Sequence, residues 1–420
     1  MSFFTINGER LYSRIMELAK IGQIGKTGVR RLAHSPEDKE AVLLVKRWME
    51  EIGLKTRIDH FGILIGRLGG AHSDLPVLMV GSHIDTQPYA GRFDGTVGVL
   101  GALEALQTMI ENNVVPVMSM EVGAFSDEEG NRFHKGLFGS SGILGLLEDG
   151  ELDRQDKEGM TRRDALIEFG CDPGKFPECE YRHDQIHAFL EFHIEQGPVL
   201  ESKGEPIGIV SGISGPLWLT VELNGFAGDS GSVSMGIRQD ALAGAAKIIT
   251  ALNDLASEDP EASTVGTVGS LRVFPDSRNI IPEKVSFTID LRDIDEERRN
   301  AIETRLVEVI KESAKKHQLT YDISEDTRSE LRYCADWIKQ IMREESEDMG
   351  LNPPELMSGP FHDALAMSTV CDYGMIFVRS KDGVSHNPKE YSFPEDISLG
   401  AELLFKTMLQ IAEKKAGENT

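Results

Sequence analysis

The sequence is poor in cysteine and in positive charge, and it lacks long apolar runs. Its 420 residues include 4 cysteines, which are too scattered to indicate disulfides or a cysteine metal site, so we expect free thiols in a reducing cytoplasm. Lys and Arg total 44 against 69 Asp and Glu, a formal charge of −25, which argues against nucleic acid or an anionic membrane as partner. No apolar run reaches the roughly 18 residues of a membrane span, and the charged N-terminal segment is unlike a signal peptide. We therefore expect a cytoplasmic protein.

Strand-like and helix-like segments alternate in the first half and again near the end. The pattern predicts helices over 37–53, 96–110, 335–348 and 395–414, and strands over 75–81, 117–126, 187–195 and 374–380. Strands separated by helices of this length are typical of an α/β layered fold with a largely parallel sheet.

The middle of the chain has a different pattern. Its predicted elements are, in order, a strand over 217–223, a helix over 240–256, strands over 264–274 and 284–293, a helix over 295–317 and a strand over 319–326. The order β-α-β-β-α-β is that of the split-βαβ sandwich. We therefore predict one domain formed by 1–211 and 329–420, with a second domain, 212–328, inserted into it. One continuous α/β domain is the alternative.

Polar residues follow the predicted strands. In GSHIDT, His83 and Asp85 are two apart and point to the same side of an extended chain. His83 could bind a metal while Asp85 accepts the proton on its other ring nitrogen. Asp94, in GRFDG, is either a helix N-cap or a carboxylate that bridges two cations.

Three more segments supply further candidates. Glu128 and Glu129 are adjacent in SDEEG, so one could ligate while the other reaches a metal-bound water, although most such pairs belong to solvated loops. His193 in EFHIEQGP and His386 in GVSHNP are each unremarkable alone. Together the candidates lie at or beyond the carboxyl ends of predicted strands, the edge at which α/β proteins form their sites.

The segments GSHIDT…GRFDG, SDEEGNRF, EFHIEQGP, NIIP, SGPFHDALAM and FVRSKDGVSHNP occur in this order over nearly the whole chain. They resemble the hydantoinase/carbamoylase amidases of the M20 metallopeptidase superfamily, which include N-carbamoyl-L-amino acid hydrolases, β-ureidopropionases and allantoate amidohydrolases. The resemblance implies an α/β fold: a mixed-sheet M20-type catalytic domain with helices on both faces, and an inserted ferredoxin-like α+β dimerisation or lid domain. It also implies a homodimer and two divalent metal ions per subunit, zinc or manganese, with cobalt or nickel as alternatives.

Position by position, the resemblance makes His83, Asp94 and His193 metal ligands, with Asp94 bridging both ions. It makes Glu129 and His386 ligands of the other ion. The remaining matches are the general base Glu128, the carboxylate Asp85 behind His83, and the substrate contacts Gln196, Asn279, Arg292 and His362.

The reaction implied is hydrolysis of the linear amide C–N bond of an N-carbamoyl, ureido or N-formyl amine. Two cations lower the pKa of a water molecule shared between them and polarise the carbonyl. Glu128 would take the proton from that water and pass it to the leaving nitrogen. Arg292 would hold a substrate carboxylate through paired hydrogen bonds, although it could also be a surface strand charge.

The chain departs from the family pattern in GFAGDSGSVSMGIRQDAL, where Asp229 occupies the place of the family's lid histidine. An ionised Asp there would repel developing negative charge. Either the substrate carries a cation or donor that Asp229 binds, or another residue such as His134 or Arg278 supplies the donor, or the lid has lost its role. Phe361 replaces a glycine, and Gln87 lies in an altered loop.

These departures leave several functions open. A ring-bearing N-formyl amine, such as the formylaminopyrimidine of thiamin salvage, is one alternative to an N-carbamoyl-L-amino acid, and allantoate or β-ureidopropionate is another. An M20 exopeptidase or aminoacylase and a non-catalytic relative retained for binding are the other two hypotheses.

Overall fold

Several helices begin at polar side chains that accept the free N–H groups of the first turn. Ser35 Oγ accepts from the Asp38 N–H at 3.2 Å, and Asp295 Oδ1 accepts from the Arg298 N–H at 3.0 Å. The computed structural model describes residues 4–413. Its α-helices are α1 (Gly8–Leu18), α2 (Pro36–Glu51), α3 (Thr96–Glu111), α4 (Phe138–Gly142), α5 (Arg162–Phe169), α6 (Phe176–Cys179), α7 (Val199–Lys203), α8 (Ala241–Ala256), α9 (Glu296–His317), α10 (Asp336–Asp348), α11 (Asp363–Met367) and α12 (Pro394–Glu413).

The strands follow from apolar runs and alternating patterns. They are β1 (Gln23–Ile24), β2 (Gly28–Val29), β3 (Lys55–Ile58), β4 (Leu64–Leu68), β5 (Val77–His83), β6 (Met120–Phe125), β7 (Ile186–Ile194), β8 (Ile207–Ile213), β9 (Leu217–Asn224), β10 (Val265–Thr267), β11 (Leu271–Phe274), β12 (Lys284–Arg292), β13 (Thr320–Arg328), β14 (Arg332–Tyr333), β15 (Glu355–Ser358) and β16 (Asp372–Val378).

The described residues divide into two compact units. Unit 1 contains the chain up to residue 211, residues 334–356, and the chain from residue 361; unit 2 contains 212–333 and 357–360. The sequence pattern predicts that the inserted segment ends at 328. Unit 2 extends to Tyr333 because β14 pairs with Gly212 and Ile213.

Unit 1 is built on a mixed sheet. The strand order within unit 1 is β3-β4-β6-β5-β7-β16-β8. The four central strands β6, β5, β7 and β16 are parallel to one another, whereas the pairs β3–β4, β4–β6 and β16–β8 are antiparallel. The predicted α/β fold is confirmed, but the largely parallel sheet is parallel only at its centre. All residues of β5 and β6 are buried, as expected for central parallel strands covered on both faces.

Unit 2 is an antiparallel sheet with the order β10-β12-β9-β13, in which β11 also pairs with β12. Alternate residues of β9 and β12 are buried, and together with α8 and α9 they form the core of the unit. The single strand predicted over 264–274 was wrong, because residues 268–270 interrupt it and leave β10 and β11. Gly269 lies in this interruption, and glycine weakens a strand interior.

The other predicted elements are confirmed to within a few residues. The helix predicted over 395–414 is α12, and residue 414 lies outside the described residues. No helix within residues 4–413 is long and apolar enough to cross a bilayer.

Candidate metal centre

The parallel centre of the unit 1 sheet brings the predicted ligands to one edge. His83 is the last residue of β5, and His193 is the penultimate residue of β7. Glu129 lies in the loop after β6, and His386 lies in the loop after β16. Because these strands are parallel, their carboxyl ends meet at the same edge, as in other α/β sites.

The first donor group consists of His83, Asp94 and His193, all buried, with one ligand atom from each within 4.8 Å of the others. His193 Nε2 lies 3.2 Å from Asp94 Oδ1. Asp94 is followed by Gly95, whose φ is +61° and where a Cβ would lie 2.5 Å from His83 Nε2, so only glycine lets the backbone approach the imidazole this closely.

Hydrogen bonds define the tautomers of both histidines. His83 Nδ1 lies 2.9 Å from the Asp85 carbonyl, and His193 Nδ1 lies 2.9 Å from the Ile194 carbonyl. A carbonyl only accepts, so each Nδ1 carries the proton and each Nε2 presents a lone pair. Burial lowers the pKa of His83 to about 4 and also lowers the pKa of His193, which keeps both rings neutral. His193 Nε2 accepts a hydrogen bond from the Gly95 N–H at 3.2 Å. Neutral imidazoles that present an Nε2 lone pair are the form that binds metals.

The second donor group shares Asp94 with the first and adds Glu129 and His386. His386 Nε2 lies 3.1 Å from Asp94 Oδ2 and 3.6 Å from Glu129 Oε2. Burial, with Asp94 nearby, raises the pKa of Glu129 to about 8. Burial opposes protonation of His386, but Asp94 raises its pKa to about 9. A proton on His386 therefore supplies positive charge where a cation could do so.

The donor atoms fit divalent cations. Within the described part of the chain, no group donates a well-aligned hydrogen bond to either Asp94 oxygen or to Glu129 Oε1, although all three atoms are buried. Buried acceptors that face other acceptors are costly unless a cation lies between them. Imidazole nitrogens together with carboxylate oxygens are common ligands of divalent first-row metals. The two groups around Asp94 therefore form a candidate metal-binding site.

Glu128 lies beside the first donor group. Its Oε2 is 3.6 Å from His83 Nε2, and burial together with the neighbouring Glu129 carboxylate raises its pKa well above the usual range. Asp85 differs from its predicted role. His83 Nδ1 bonds to the Asp85 backbone carbonyl, and the Asp85 carboxylate is 3.9 Å away. That carboxylate instead faces the N–H groups of Glu128 and Glu129, each at 3.4 Å.

A buried ion pair supports the turn that carries Glu128. Asp127 has a φ of +52°, in the left-handed region that few non-glycine residues occupy. Its Oδ2 accepts from Arg162 Nη2 at 2.9 Å, and both side chains are fully buried. Arg162 also donates to the Lys135 carbonyl at 2.9 Å and lies 4.3 Å from the centre of the Phe138 ring. The guanidinium therefore ties both ends of the loop after β6 together.

Two predicted substrate contacts of unit 1 lie close to the donor groups. Gln196 Nε2 is 3.1 Å from His386 Nε2 and 3.2 Å from Ser385 Oγ. His362 is buried, and its ring centre is 4.4 Å from that of His193.

The other predicted substrate residues belong to unit 2. Asp229 is exposed, and its Oδ1 accepts from the N–H groups of Gly231 and Ser232 and from the Ser232 hydroxyl at 2.7–3.0 Å. The Ser232 hydroxyl lowers the pKa of Asp229. Asn279 is also exposed, and its backbone carbonyl accepts from the Ser230 N–H at 3.0 Å. The lid segment and the NIIP segment are therefore neighbours in unit 2.

Arg292 is largely engaged within its own unit. Its Nε and Nη2 donate to the two oxygens of Asp290 at 2.9 and 2.8 Å, and its Nη1 donates to the Gly359 carbonyl at 2.6 Å. One N–H on each terminal nitrogen is left for another acceptor.

Some supporting residues were not assigned from the sequence. Gln87 Nε2 donates to Glu129 Oε2 at 2.6 Å, and Asn131 Nδ2 donates to Gln87 Oε1 at 2.7 Å. Glu390 Oε1 accepts from the Asp94 N–H at 3.1 Å. The only sequence signal for these contacts is the altered loop at Gln87.

The chain is similar to known proteins over nearly its whole length. The sequence profile of peptidase family M20/M25/M40 matches residues 79–410. The N-carbamoyl-L-amino-acid amidohydrolase of Pseudomonas sp. (strain NS671) is 43% identical over 412 residues, which are 98% of this chain and 100% of that protein. The N-carbamoyl-L-amino acid amidohydrolase of Geobacillus stearothermophilus is 41% identical, with 97% and 99% covered. The crystal structure of a hydantoinase/carbamoylase family amidase from Burkholderia multivorans superposes with a TM-score of 0.92 at 32% identity, covering 99% and 100%.

Proposed function

Because the chain belongs to the M20/M25/M40 peptidase family and, within it, to the hydantoinase/carbamoylase amidases, we propose that it hydrolyses N-carbamoyl-L-amino acids. It is an amidohydrolase acting on a linear C–N bond other than a peptide bond. The observation that carries this proposal is the convergence of two donor groups on the buried Asp94 carboxylate. Near-complete coverage of carbamoylase relatives supports it.

The proposed cofactor is a pair of divalent ions, zinc or manganese. His83 and His193 would hold one, Glu129 and His386 the other, and Asp94 both. When bound, such a pair acidifies a water molecule and polarises the amide carbonyl. Hydrolysis of the carbamoyl group then yields the free amino acid, ammonia and carbon dioxide.

Glu128 is the proposed general base. Glu128 lies in the same loop as Glu129. Its backbone N–H faces the Asp85 carboxylate, and the buried Asp127–Arg162 ion pair stabilises the turn just before it. Its carboxylate takes a proton from the attacking water and returns it to the departing nitrogen, which then leaves as a neutral amine.

The substrate residues remain proposals. Gln196 and His362 would contact the carbamoyl group, because both lie against histidines of the donor groups. Arg292 would bind the substrate carboxylate through its remaining N–H groups, with Asn279 as a neutral donor. The homodimer and the cytoplasmic location also stay predictions from the sequence.

A second candidate is hydrolysis of an N-formyl amine that bears a ring. The observation that favours it is Asp229, an exposed carboxylate in the place of the family's lid histidine. A carboxylate can bind a ring amine, whereas it repels an oxyanion.

A substrate panel separates these functions. Chelated protein reconstituted with zinc or with manganese is tested on N-carbamoyl-L-amino acids, their D enantiomers, allantoate, β-ureidopropionate, a formylaminopyrimidine, N-acetyl amino acids and dipeptides. We expect ammonia release to be fastest from N-carbamoyl-L-amino acids and to require metal. Faster formate release would favour the second candidate. Turnover of only N-acetyl amino acids or dipeptides, or no turnover at all, would contradict the proposal.

A further inference from the structure

Two side-chain amides outside the assigned ligands form a chain that ends on Glu129. Asn131 Nδ2 donates to Gln87 Oε1 at 2.7 Å, and Gln87 Nε2 donates to Glu129 Oε2 at 2.6 Å. The same Glu129 oxygen lies 3.6 Å from His386 Nε2. A carboxylate oxygen has two lone pairs, so the hydrogen bond from the Gln87 amide leaves one lone pair of Glu129 Oε2 for a cation.

The hydrogen bonds run from Asn131 to Gln87 and from Gln87 to Glu129. A Glu129 carboxylate that binds a cation would be ionised and would only accept, so this orientation of the Gln87 amide suits the metal-loaded site. A hydrogen bond to a charged acceptor is stronger than one between neutral groups. Gln87 and Asn131 are both only partly buried, so their amides are not needed to fill a core.

The two donor groups differ in what orients their ligands. In the first group, the His83 and His193 rings are held by backbone carbonyls of Asp85 and Ile194. In the second group, Glu129 is held by the Gln87 side chain, and His386 is 44% exposed. A change at Gln87 therefore reaches one group and leaves the orienting bonds of the other intact.

We propose that Gln87 and Asn131 are positioning residues that hold the Glu129 carboxylate and thereby set the cation affinity of the Asp94–Glu129–His386 group. Neither residue touches the reacting atoms. The inference rests on the proposed function, which supplies the second ion. Removing such an outer partner of a metal ligand typically costs about 10–100-fold in metal affinity.

The test is a titration of the chelated, full-length protein with Mn²⁺ alone, with free Mn²⁺ followed by electron paramagnetic resonance. Wild type is expected to bind two equivalents per chain. Gln87→Met, which keeps the length of the side chain but removes the amide, should weaken one binding event about 10–100-fold and leave the other within about twofold. Asn131→Leu should act in the same direction with a smaller shift.

The control is Gln340→Met, because Gln340 Nε2 donates to Glu344 Oε1 at 2.8 Å in an exposed pair on α10. It removes the same kind of bond away from the donor groups and should leave both events unchanged. The metal-free variants should have the same melting temperature as metal-free wild type. At saturating Mn²⁺ the kcat of Gln87→Met should return to within a few-fold of the wild-type value.

The outcomes separate this inference from the proposed function. Suppose that wild type binds two equivalents of Mn²⁺ and hydrolyses its substrate, but that Gln87→Met leaves the binding isotherm unchanged or weakens both binding events equally. The positioning role of Gln87 and Asn131 is then wrong, and the proposed function stands. If wild type binds only one equivalent of Mn²⁺ per chain, the proposed two-ion function is wrong, and the positioning role of Gln87 and Asn131 is wrong with it.

Discussion

Units 1 and 2 both carry residues assigned to the active site from the sequence, but these residues differ in burial and in how far their neighbours satisfy their hydrogen bonds. In unit 1, the Asp94 oxygens are buried and face imidazole nitrogens, and within residues 4–413 no group donates a well-aligned hydrogen bond to them. In unit 2, the turn around Asp229 satisfies its carboxylate, and Asp290 pairs with Arg292. Several buried carboxylates and imidazoles that converge with unmet bonding capacity are typical of a site for a cation, whereas exposed groups satisfied by their neighbours are not.

The largest expected effect is the loss of the general base. Glu128→Gln keeps the size of the side chain but removes its ability to take a proton, so kcat/KM should fall by about 10²–10⁴-fold with bound metal unchanged. Steady-state kinetics with metal analysis of the same sample measures both quantities.

Glu129→Gln is the matched control for Glu128→Gln, because it changes the adjacent carboxylate. It should lose metal as well as activity. Wild-type turnover by Glu128→Gln would remove Glu128 from the mechanism.

The second prediction concerns a buried charge of unit 1 that does have a partner. Arg162→Met leaves Asp127 buried and unpaired, so the free energy of unfolding should fall by about 3–5 kcal/mol. The exposed pair Arg182–Asp184, at 3.1 Å, provides the control. Arg182→Met should change the free energy of unfolding by less than about 1 kcal/mol. If Arg162→Met and Arg182→Met lower the free energy of unfolding in urea equally, the burial of Asp127 adds nothing to the cost of removing its partner.

The third prediction concerns a buried carboxylate without converging imidazoles. Asp59 Oδ1 accepts from Phe61 and Ile63, each at 2.9 Å, whereas Oδ2 has no partner within the described residues. Burial raises the pKa of Asp59 to about 7. Between about pH 4 and 7 the folded state therefore holds a proton that the unfolded state has lost. Stability should fall as the pH rises through this window, by an amount on the order of a few kcal/mol.

Asp59→Asn keeps the accepting oxygen and removes the ionisation. The difference in unfolding free energy between pH 5 and pH 8 should therefore be smaller in Asp59→Asn than in wild type. Asp172 is an exposed carboxylate that caps its own turn on the Gly174 N–H at 3.0 Å, and Asp172→Asn should leave the pH dependence as it is. An unaltered pH dependence in Asp59→Asn would contradict the assignment.

The smallest effect is expected in unit 2. Asp229→Asn retains the turn, because an amide oxygen can still accept from Ser232, so metal content and thermal stability should match wild type. A contact of Asp229 with substrate should then show as a fall of about tenfold or less in kcat/KM. Loss of metal from this variant would contradict the assignment of the metal ligands to unit 1 alone. Conversely, a gain of carbamoylase activity in Asp229→His would support recognition of a different substrate by Asp229.

Much of the site could be predicted because its residues follow predicted elements. His83 and His193 end strands whose apolar runs are clear in the sequence, and parallel strands must bring these ends together. The role of Asp85 could not be predicted in the same way. Spacing places its side chain beside His83, but its backbone carbonyl competes for the same proton, and only the three-dimensional structure shows that the carbonyl takes it.

Contacts between distant loops were also beyond the sequence. Gln87 and Asn131 lie in different loops, and a pair of amides produces no periodic pattern that would join them. The break between β10 and β11 was missed because the β-branched residues on both sides of Gly269 favour one continuous strand.

The proposed two-ion site is tested most directly by anomalous diffraction from crystals of the protein soaked in Mn²⁺ or Zn²⁺. We expect two peaks per chain, one bound by His83, Asp94 and His193 and the other by Asp94, Glu129 and His386. A map without peaks at these residues, or with a single peak that does not contact Asp94, would contradict it.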